Sequence, residues 1–207
     1  MGVSVEATFV TSNENKRREA AGILGVELRS ESPEVPEIQA LDLREVATEK
    51  AREARRALGS PDTPVLVEDS GLVVEVWEGL PGAFTKWFMQ TVGNEGICGM
   101  LRNGLPRDAR AVCVVAIAHG AEKGEKGEKE EVEVFSGEVR GSLAEAPRGE
   151  GGFGWDAIFI PEGETRTYAE MGEAKHADSH RARAFGAARE RLKELQNSSG
   201  MHDGRLV

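Results

Sequence analysis

The stretch from Arg110 to Gly141 restricts the fold more than any other part of the chain. Two apolar runs, Arg110 to His119 and Val132 to Gly141, face each other across Gly120 to Glu131, a low-complexity segment of repeated glycine, glutamate and lysine. Their length and residue types predict two long strands, with the charged segment as a solvated hairpin tip to which no chemistry is assigned. A long antiparallel pair does not fit a purely parallel barrel.

Upstream of this hairpin the pattern alternates. Val3 to Val10 reads as an apolar strand, and Thr11-Ser12-Asn13 turns into a helix from about Glu14 to Leu24, with Asn13 as its capping residue. Val26 to Arg29 is expected as a short second strand, and Leu43 to Leu58 as a charged helix with alanine and valine on one side. Val65 to Val67 ends in Glu68-Asp69-Ser70-Gly71, where Ser70-Gly71 predicts a sharp turn before a new strand, Leu72 to Trp77. Helices are expected over Thr85 to Val92 and Glu95 to Leu101. Downstream, Ala157 to Ile160 reads as a strand, and Ala182 to Leu195 as a last helix capped by Ser179 or Asp178. The expectation is an α/β fold in which a mixed sheet is flanked by helices. Residues 1–196 are expected to form one domain and residues 197–207 a frayed tail.

The formal charge of −10 over 207 residues argues against a broad footprint for a nucleic-acid polymer. A small anionic substrate stays open, because a few local cations and a divalent metal outweigh the global field inside a cleft. Cys98 and Cys113 lack CxxC spacing and sit in apolar surroundings, so both are expected as reduced, buried thiols. No apolar run approaches membrane-spanning length and Met1 to Val10 lacks a basic start, which predicts a cytoplasmic protein without a membrane partner.

Four segments could carry chemistry. Thr11, Ser12, Asn13, Glu14, Asn15 and Lys16 lie at a strand-to-helix junction, where N–H groups, hydroxyls and one cation suit phosphates; they read equally as a well-capped helix start. No GxxxxGK[ST] loop occurs. Glu68 and Asp69 close an apolar strand, and carboxylates there can hold magnesium or take a proton from an attacking water; Glu37 could complete such a site. Lys86, on a helix after Leu80-Pro81-Gly82, could reach a phosphate, while Trp87, Phe88 and Met89 suit the core or a subunit interface. Gly152-Phe153-Gly154-Trp155-Asp156 offers an aromatic slot bordered by a carboxylate, and Lys175, Ser179, His180 and Arg181 offer donors for an anion or a base carbonyl. Gly152-x-Gly154-x-x-Ala157 matches a dinucleotide fingerprint formally, but a loop precedes it and a strand follows, so that reading is rejected.

Taken together, TSNENK, PEIQ, EDSGL, LPGAFTKWF, GFGWD, TYAEM and KHADSHR are collinear from Thr11 to Arg181 and closely resemble the inosine triphosphate pyrophosphatase family. The resemblance implies a long mixed sheet with two lobes around a central cleft, assembled as a homodimer. It implies Mg2+-dependent hydrolysis of ITP, dITP and XTP between the α- and β-phosphates. Carried onto this chain, Asp69 is the catalytic base or water activator and, with Glu37, a metal ligand. Thr11 to Lys16 and Lys86 become the triphosphate cradle, with Ser70 beside the substrate. Phe153 becomes the stacking partner of the base, and Gly154, Trp155, Asp156, Lys175, His180 and Arg181 line the rest of the purine pocket. Two departures concern fine purine preference: His176-Ala177-Asp178 before the serine, and Phe84 in place of a tyrosine. A Maf-type pyrophosphatase and a non-catalytic nucleotide-binding regulator are the competing readings.

Overall fold

The computed structural model describes residues 7–25, 28–61, 63–101, 104–120 and 130–200. Among them, seven strands form one mixed sheet in the order β2 (Arg29–Glu31), β1 (Thr8–Val10), β3 (Val65–Val74), β5 (Asp108–Gly120), β6 (Glu130–Leu143) and β7 (Phe159–Pro161), with β4 (Pro81–Gly82) paired to β3. The pairs β1–β2 and β1–β3 are parallel; β3–β5, β5–β6, β6–β7 and β3–β4 are antiparallel. The expected hairpin is therefore present as β5–β6, paired from Asp108↔Ser142 to Gly120↔Glu130. Its proposed tip, residues 121–129, lies outside the described residues.

Helices cover both faces. On one face α1 (Glu14–Leu24) and α6 (His180–Gly200) bury Ala20, Leu24, Phe185, Ala188 and Leu192 against Phe9, Leu66, Val115 and Ile117. On the other, α2 (Leu43–Ala57) lays Leu43, Ala47, Ala51 and Ala54 on Val65, Val67, Val114 and Ala116. The small side chains at positions 47, 51 and 54 share one helical stripe and let the helix axis come close to the sheet. Towards the β6–β7 end, α3 (Thr85–Thr91), α4 (Gly93–Met100) and α5 (Tyr168–Met171) enclose a third core built on Leu72, Val74, Ile97, Trp155, Phe159 and Tyr168.

The sequence reading needs several corrections. No turn occurs at Ser70-Gly71: β3 runs unbroken for ten residues, and Trp77 lies in a 3-10 turn beyond it. Gly71 is small for another reason, since a Cβ there would lie 2.4 Å from the carbonyl oxygen of Gly82 on β4. Of the second strand expected over Val26 to Arg29, Val26 and Glu27 lie outside the described residues, and β2 continues past Arg29 to Glu31; β7 begins at Phe159 rather than Ala157. The last helix starts at His180 and continues to Gly200, so Asn197 to Gly200 are helical and do not form a tail; residues 201–207 lie outside the described residues. Cys98 and Cys113 are both buried and free, as expected.

Alternation along β3 positions the site. Leu66, Glu68, Ser70, Leu72 and Val74 share one face of a strand, and on that face two apolar cores are interrupted by a polar interval at Glu68 and Ser70. The N-terminus of α6 descends into this interval. It can do so because Gly137 of β6 lies beneath it: a Cβ there would sit 2.1 Å from the carbonyl oxygen of His180.

Candidate active site

At the start of α1, Asn13 has extended backbone and its Oδ1 accepts from the N–H groups of Asn15 (3.0 Å) and Lys16 (3.2 Å). Thr11 Oγ1 accepts from the Asn13 N–H at 3.1 Å. Two of the orphan donors expected at a helix start are thus already satisfied within the chain. What remains open is Ser12, which is exposed. Glu14 points to solvent and pairs with Arg17.

Lys16 reaches across to β3, where its Nζ lies 2.9 Å from Glu68 Oε2 and donates to the Glu68 carbonyl at 3.2 Å. Glu68 is fully buried, and its Oε1 accepts from Arg181 Nη2 (3.2 Å) and from the Cys113 thiol (3.3 Å). Arg181 Nη2 also donates to Ser70 Oγ at 3.3 Å, while Nη1 is paired with Glu19 of α1. Glu19 in turn holds Lys175 (2.9 Å), which pairs with Asp156 at 2.6 Å. Charges therefore alternate along one buried line: Asp156, Lys175, Glu19, Arg181, Glu68, Lys16. Burial alone would raise the carboxyls of Glu68 and Glu19, but Arg181 with Lys16, and Arg181 with Lys175, hold both below the usual carboxylate range.

Asp69 is the next residue on β3 and faces the other way, towards α2. Its Oδ1 accepts from Lys50 Nζ at 2.9 Å, and the same ammonium lies 3.1 Å from Glu37 Oε2. Asp69 Oδ2 is buried and has no hydrogen-bond partner among the described residues. Burial pushes the Asp69 carboxyl up, and the pull of Lys50 and Lys16 does not fully offset it. Glu37 is less deeply placed; burial would raise it, yet Lys50, with contributions from Lys86 and Lys16, leaves it lowered.

Lys86 enters from β4–α3. Thr85, buried, accepts from the Leu72 N–H at 2.8 Å and donates to the Gly82 carbonyl at 2.7 Å, tying the start of α3 to β3. Lys86 itself is exposed, with Nζ 5.5 Å from the Trp87 ring centre. Phe88 and Met89 pack on the third core as expected, while Trp87 stays exposed.

The Phe153 loop closes the far side. Asp156 Oδ2 accepts from the Phe153 N–H at 2.9 Å, and Gly152 has a left-handed φ of 70°, where a Cβ would meet that same oxygen at 2.1 Å. Phe153 is half-buried, with Lys175 Nζ 5.3 Å and Arg181 Cζ 5.4 Å from its ring centre. Trp155 and Asp156 stand behind this ring and shape it: Trp155 packs edge-on to Phe159 and 5.0 Å from the His180 ring, and Asp156 anchors Lys175. His180 is buried between Trp155 and Tyr168, with both ring nitrogens unpartnered among the described residues. Burial, followed by the Arg181 charge, holds it well below the ordinary imidazole value, so it is neutral and offers one donor and one acceptor. Arg181 Nε, too, has no partner among the described residues.

The structure joins Lys16, Arg181, Lys175 and Asp156 through Glu68 and Glu19 on one face of β3, and Glu37 and Asp69 through Lys50 on the other, with Glu14 turned outward and Gly154 exposed. Lys50 and Glu19 were missed. Glu19 carried a signal: it precedes Ala20 on the apolar stripe of α1, where an unpaired carboxylate is disfavoured.

An aromatic ring flanked by buried cations on one face of β3, with Lys50 and a carboxylate pair on the other, marks a nucleotide-handling α/β protein. The chain belongs to the Ham1 family, whose profile matches residues 7–191. It is 42% identical over 185 residues to a dITP/XTP pyrophosphatase of Methanopyrus kandleri, covering 87% of this chain and 93% of that protein. It is 41% identical over 194 residues to an inosine triphosphate pyrophosphatase of Aspergillus fumigatus, covering 92% and 96%. Among solved structures, the Staphylococcus aureus Ham1 protein superposes with a TM-score of 0.72 at 26% identity, covering 91% of this chain and 98% of that one. The nucleoside-triphosphatase, or dITP/XTP pyrophosphatase, of Mycobacterium abscessus gives 0.65 at 32% identity, covering 88% and 97%.

Proposed function

We propose that this protein hydrolyses ITP, dITP and XTP to the monophosphate and pyrophosphate, with Mg2+ held by Glu37 and Asp69. The observation that carries the reading is the division of β3: Glu68 holds Arg181, one of the two cations beside the Phe153 ring, while Asp69, one residue on, has a carboxylate oxygen on the opposite face with no partner among the described residues. The names of the relatives from Methanopyrus kandleri and Aspergillus fumigatus support it.

The donor set fits magnesium. Among the described residues no group of three His, Cys, Asp or Glu surrounds a common point, so this is no preformed cage. Mg2+ commonly takes one or two carboxylates and completes its shell with substrate phosphates and water, which the Glu37–Asp69 pair allows. When bound, the ion would neutralise phosphate charge and polarise a phosphoryl oxygen. The chain supplies the rest. Lys16, Lys50 and Lys86 offset the remaining negative charge, and Asp69 accepts a proton from, or orients, the water that attacks the α-phosphate. Phe153 stacks on the purine. A carbonyl at C6 of hypoxanthine or xanthine accepts from His180 or Arg181 Nε, whereas the amino group of adenine leaves those buried donors unpaired.

A homodimer in the cytoplasm completes the reading. Exposed Trp87 and Val92, at either end of α3, and Met100 at the end of α4 supply apolar surface for a second copy. Among the described residues no helix is long and apolar enough to cross a membrane.

The test is incubation with Mg2+ and ITP, XTP, dITP, GTP, ATP and dUTP, followed by product identification. Pyrophosphate and monophosphate from the first three are expected. Orthophosphate with a diphosphate would refute the cleavage position, and binding without turnover would point to a regulator. Asp69→Asn should abolish turnover while nucleotide still binds.

A further inference from the structure

Lys50 occupies an unusual place for a lysine. It projects from the middle of α2, and its ammonium bridges Glu37 and Asp69, the two carboxylates read above as ligands of a divalent cation. The side chain is largely sequestered, at 18% exposure, with its ammonium 2.9 Å from Asp69 Oδ1 and 3.1 Å from Glu37 Oε2. Lys16, whose field also reaches both carboxylates, is itself bound to Glu68 at the strand position facing the opposite side of the sheet.

Two negative charges flanking one ammonium leave the pair of carboxylates with a net charge of about minus one for any incoming cation. A dication seated between them would also lie against a like charge a few ångströms away. We propose that Lys50 is the resident counter-ion of the Glu37–Asp69 pair: it positions both carboxylates in the free protein and suppresses divalent-cation binding until a triphosphate is present. The phosphates then complete the coordination of the ion and give the ammonium another anionic partner. The order of assembly follows: the ion is retained with the nucleotide and is not stored in the empty protein. This inference rests on the reading of Glu37 and Asp69 as metal ligands.

The experiment titrates nucleotide-free protein with Mn2+, following the free ion by electron paramagnetic resonance and the heat by calorimetry. Lys50→Met should bind one Mn2+ at least about tenfold more tightly than the parent protein, the scale expected when a like charge is removed from a half-buried site. The double variant Lys50→Met/Asp69→Asn should lose that gain. Equal affinity in the parent protein and Lys50→Met, or a gain that survives in the double variant, would overturn the proposal. Lys50→Arg, which keeps the charge, should behave as the parent, and Lys50→Gln substitutes for Lys50→Met if the latter does not fold. A parallel titration with an α,β-imido analogue of ITP, on the parent protein and Asp69→Asn, separates the two ideas. Mn2+ uptake that depends on Asp69 there supports the metal reading, and its absence sinks that reading. Its presence together with an unchanged Lys50→Met refutes the role of Lys50 alone.

Discussion

Replacing Glu19 by glutamine tests whether the buried line of charges is a single structural unit. Glu19 sits 5% exposed between Arg181 and Lys175, with the Lys175 ammonium 2.9 Å from Oε1. The line holds three carboxylates and three cations, so removing one negative charge leaves a net positive charge in the interior. Arg181 retains Glu68 and Ser70, and Lys175 retains Asp156, so neither cation is stranded. The glutamine amide, however, can offer only one oxygen where the carboxylate offered two, and it turns an N–H2 towards a cation. Breaking a buried pair costs about 3–5 kcal/mol, and the surviving partners place this variant near the lower end, about 3 kcal/mol. For a protein of this size that corresponds to a fall in Tm of roughly 6–12 °C. Urea denaturation at neutral pH, with the slope checked for constancy, measures it. Glu75→Gln is the control: that side chain is 48% exposed in its pair with Arg110, and its loss should cost about 0–1 kcal/mol. A Glu19→Gln cost no larger than the control would show that the line is a set of independent, solvent-relaxed contacts.

Three further outcomes follow from the geometry. The folded pKa of His180 is depressed, so below about pH 6.5 the unfolded chain takes up a proton that the folded protein does not, and stability should fall as pH drops from that point. Glu68 and Glu19 are also depressed, which gives stability present above their unfolded value near 4.5 and lost as pH falls further; urea midpoints followed from neutral pH down to about pH 3 should show both losses, and Glu68→Gln should reduce the lower one. Phe153→Ala should cost about 1–3 kcal/mol of base stacking, seen as a roughly 5- to 150-fold loss in kcat/KM for ITP, while Phe153→Tyr retains activity; an unchanged alanine variant would remove the base from that ring. Gly137→Ala should lower stability and activity together, because the added Cβ would meet His180 O at 2.1 Å and lift the start of α6; a normal circular dichroism melt with normal turnover would contradict this.

The periodicities that reflect burial were legible in the sequence, and the contacts made across elements were not. The β5–β6 hairpin and the α1 cap could be read because apolar alternation and a capping asparagine are local signals. The turn expected at Ser70-Gly71 was wrong because a glycine demanded by a crossing carbonyl looks the same in sequence as one demanded by a bend. The chemistry-bearing residues were found through their short motifs, but Lys50 sits in a helix with many charges and nothing local distinguishes it from a solvated lysine. Only the approach of α2 to β3 does so. The opposite facing of Glu68 and Asp69 was available from the two-residue period of a strand, once β3 was known to be unbroken.

That opposite facing makes strand pairing decide which cation each carboxylate meets. A one-residue slip between β3 and β5 would turn each to the other face of the sheet, carrying Glu68 towards Lys50 and Asp69 towards Arg181. Ten consecutive cross-strand partners, Val65↔Ala118 to Val74↔Ala109, resist such a slip. Gly71 fixes a second register, that of β3 on β4: a one-residue shift of that pair would press Ser70 or Leu72 against the Gly82 carbonyl oxygen, which lies 2.4 Å from where a Cβ at position 71 would stand.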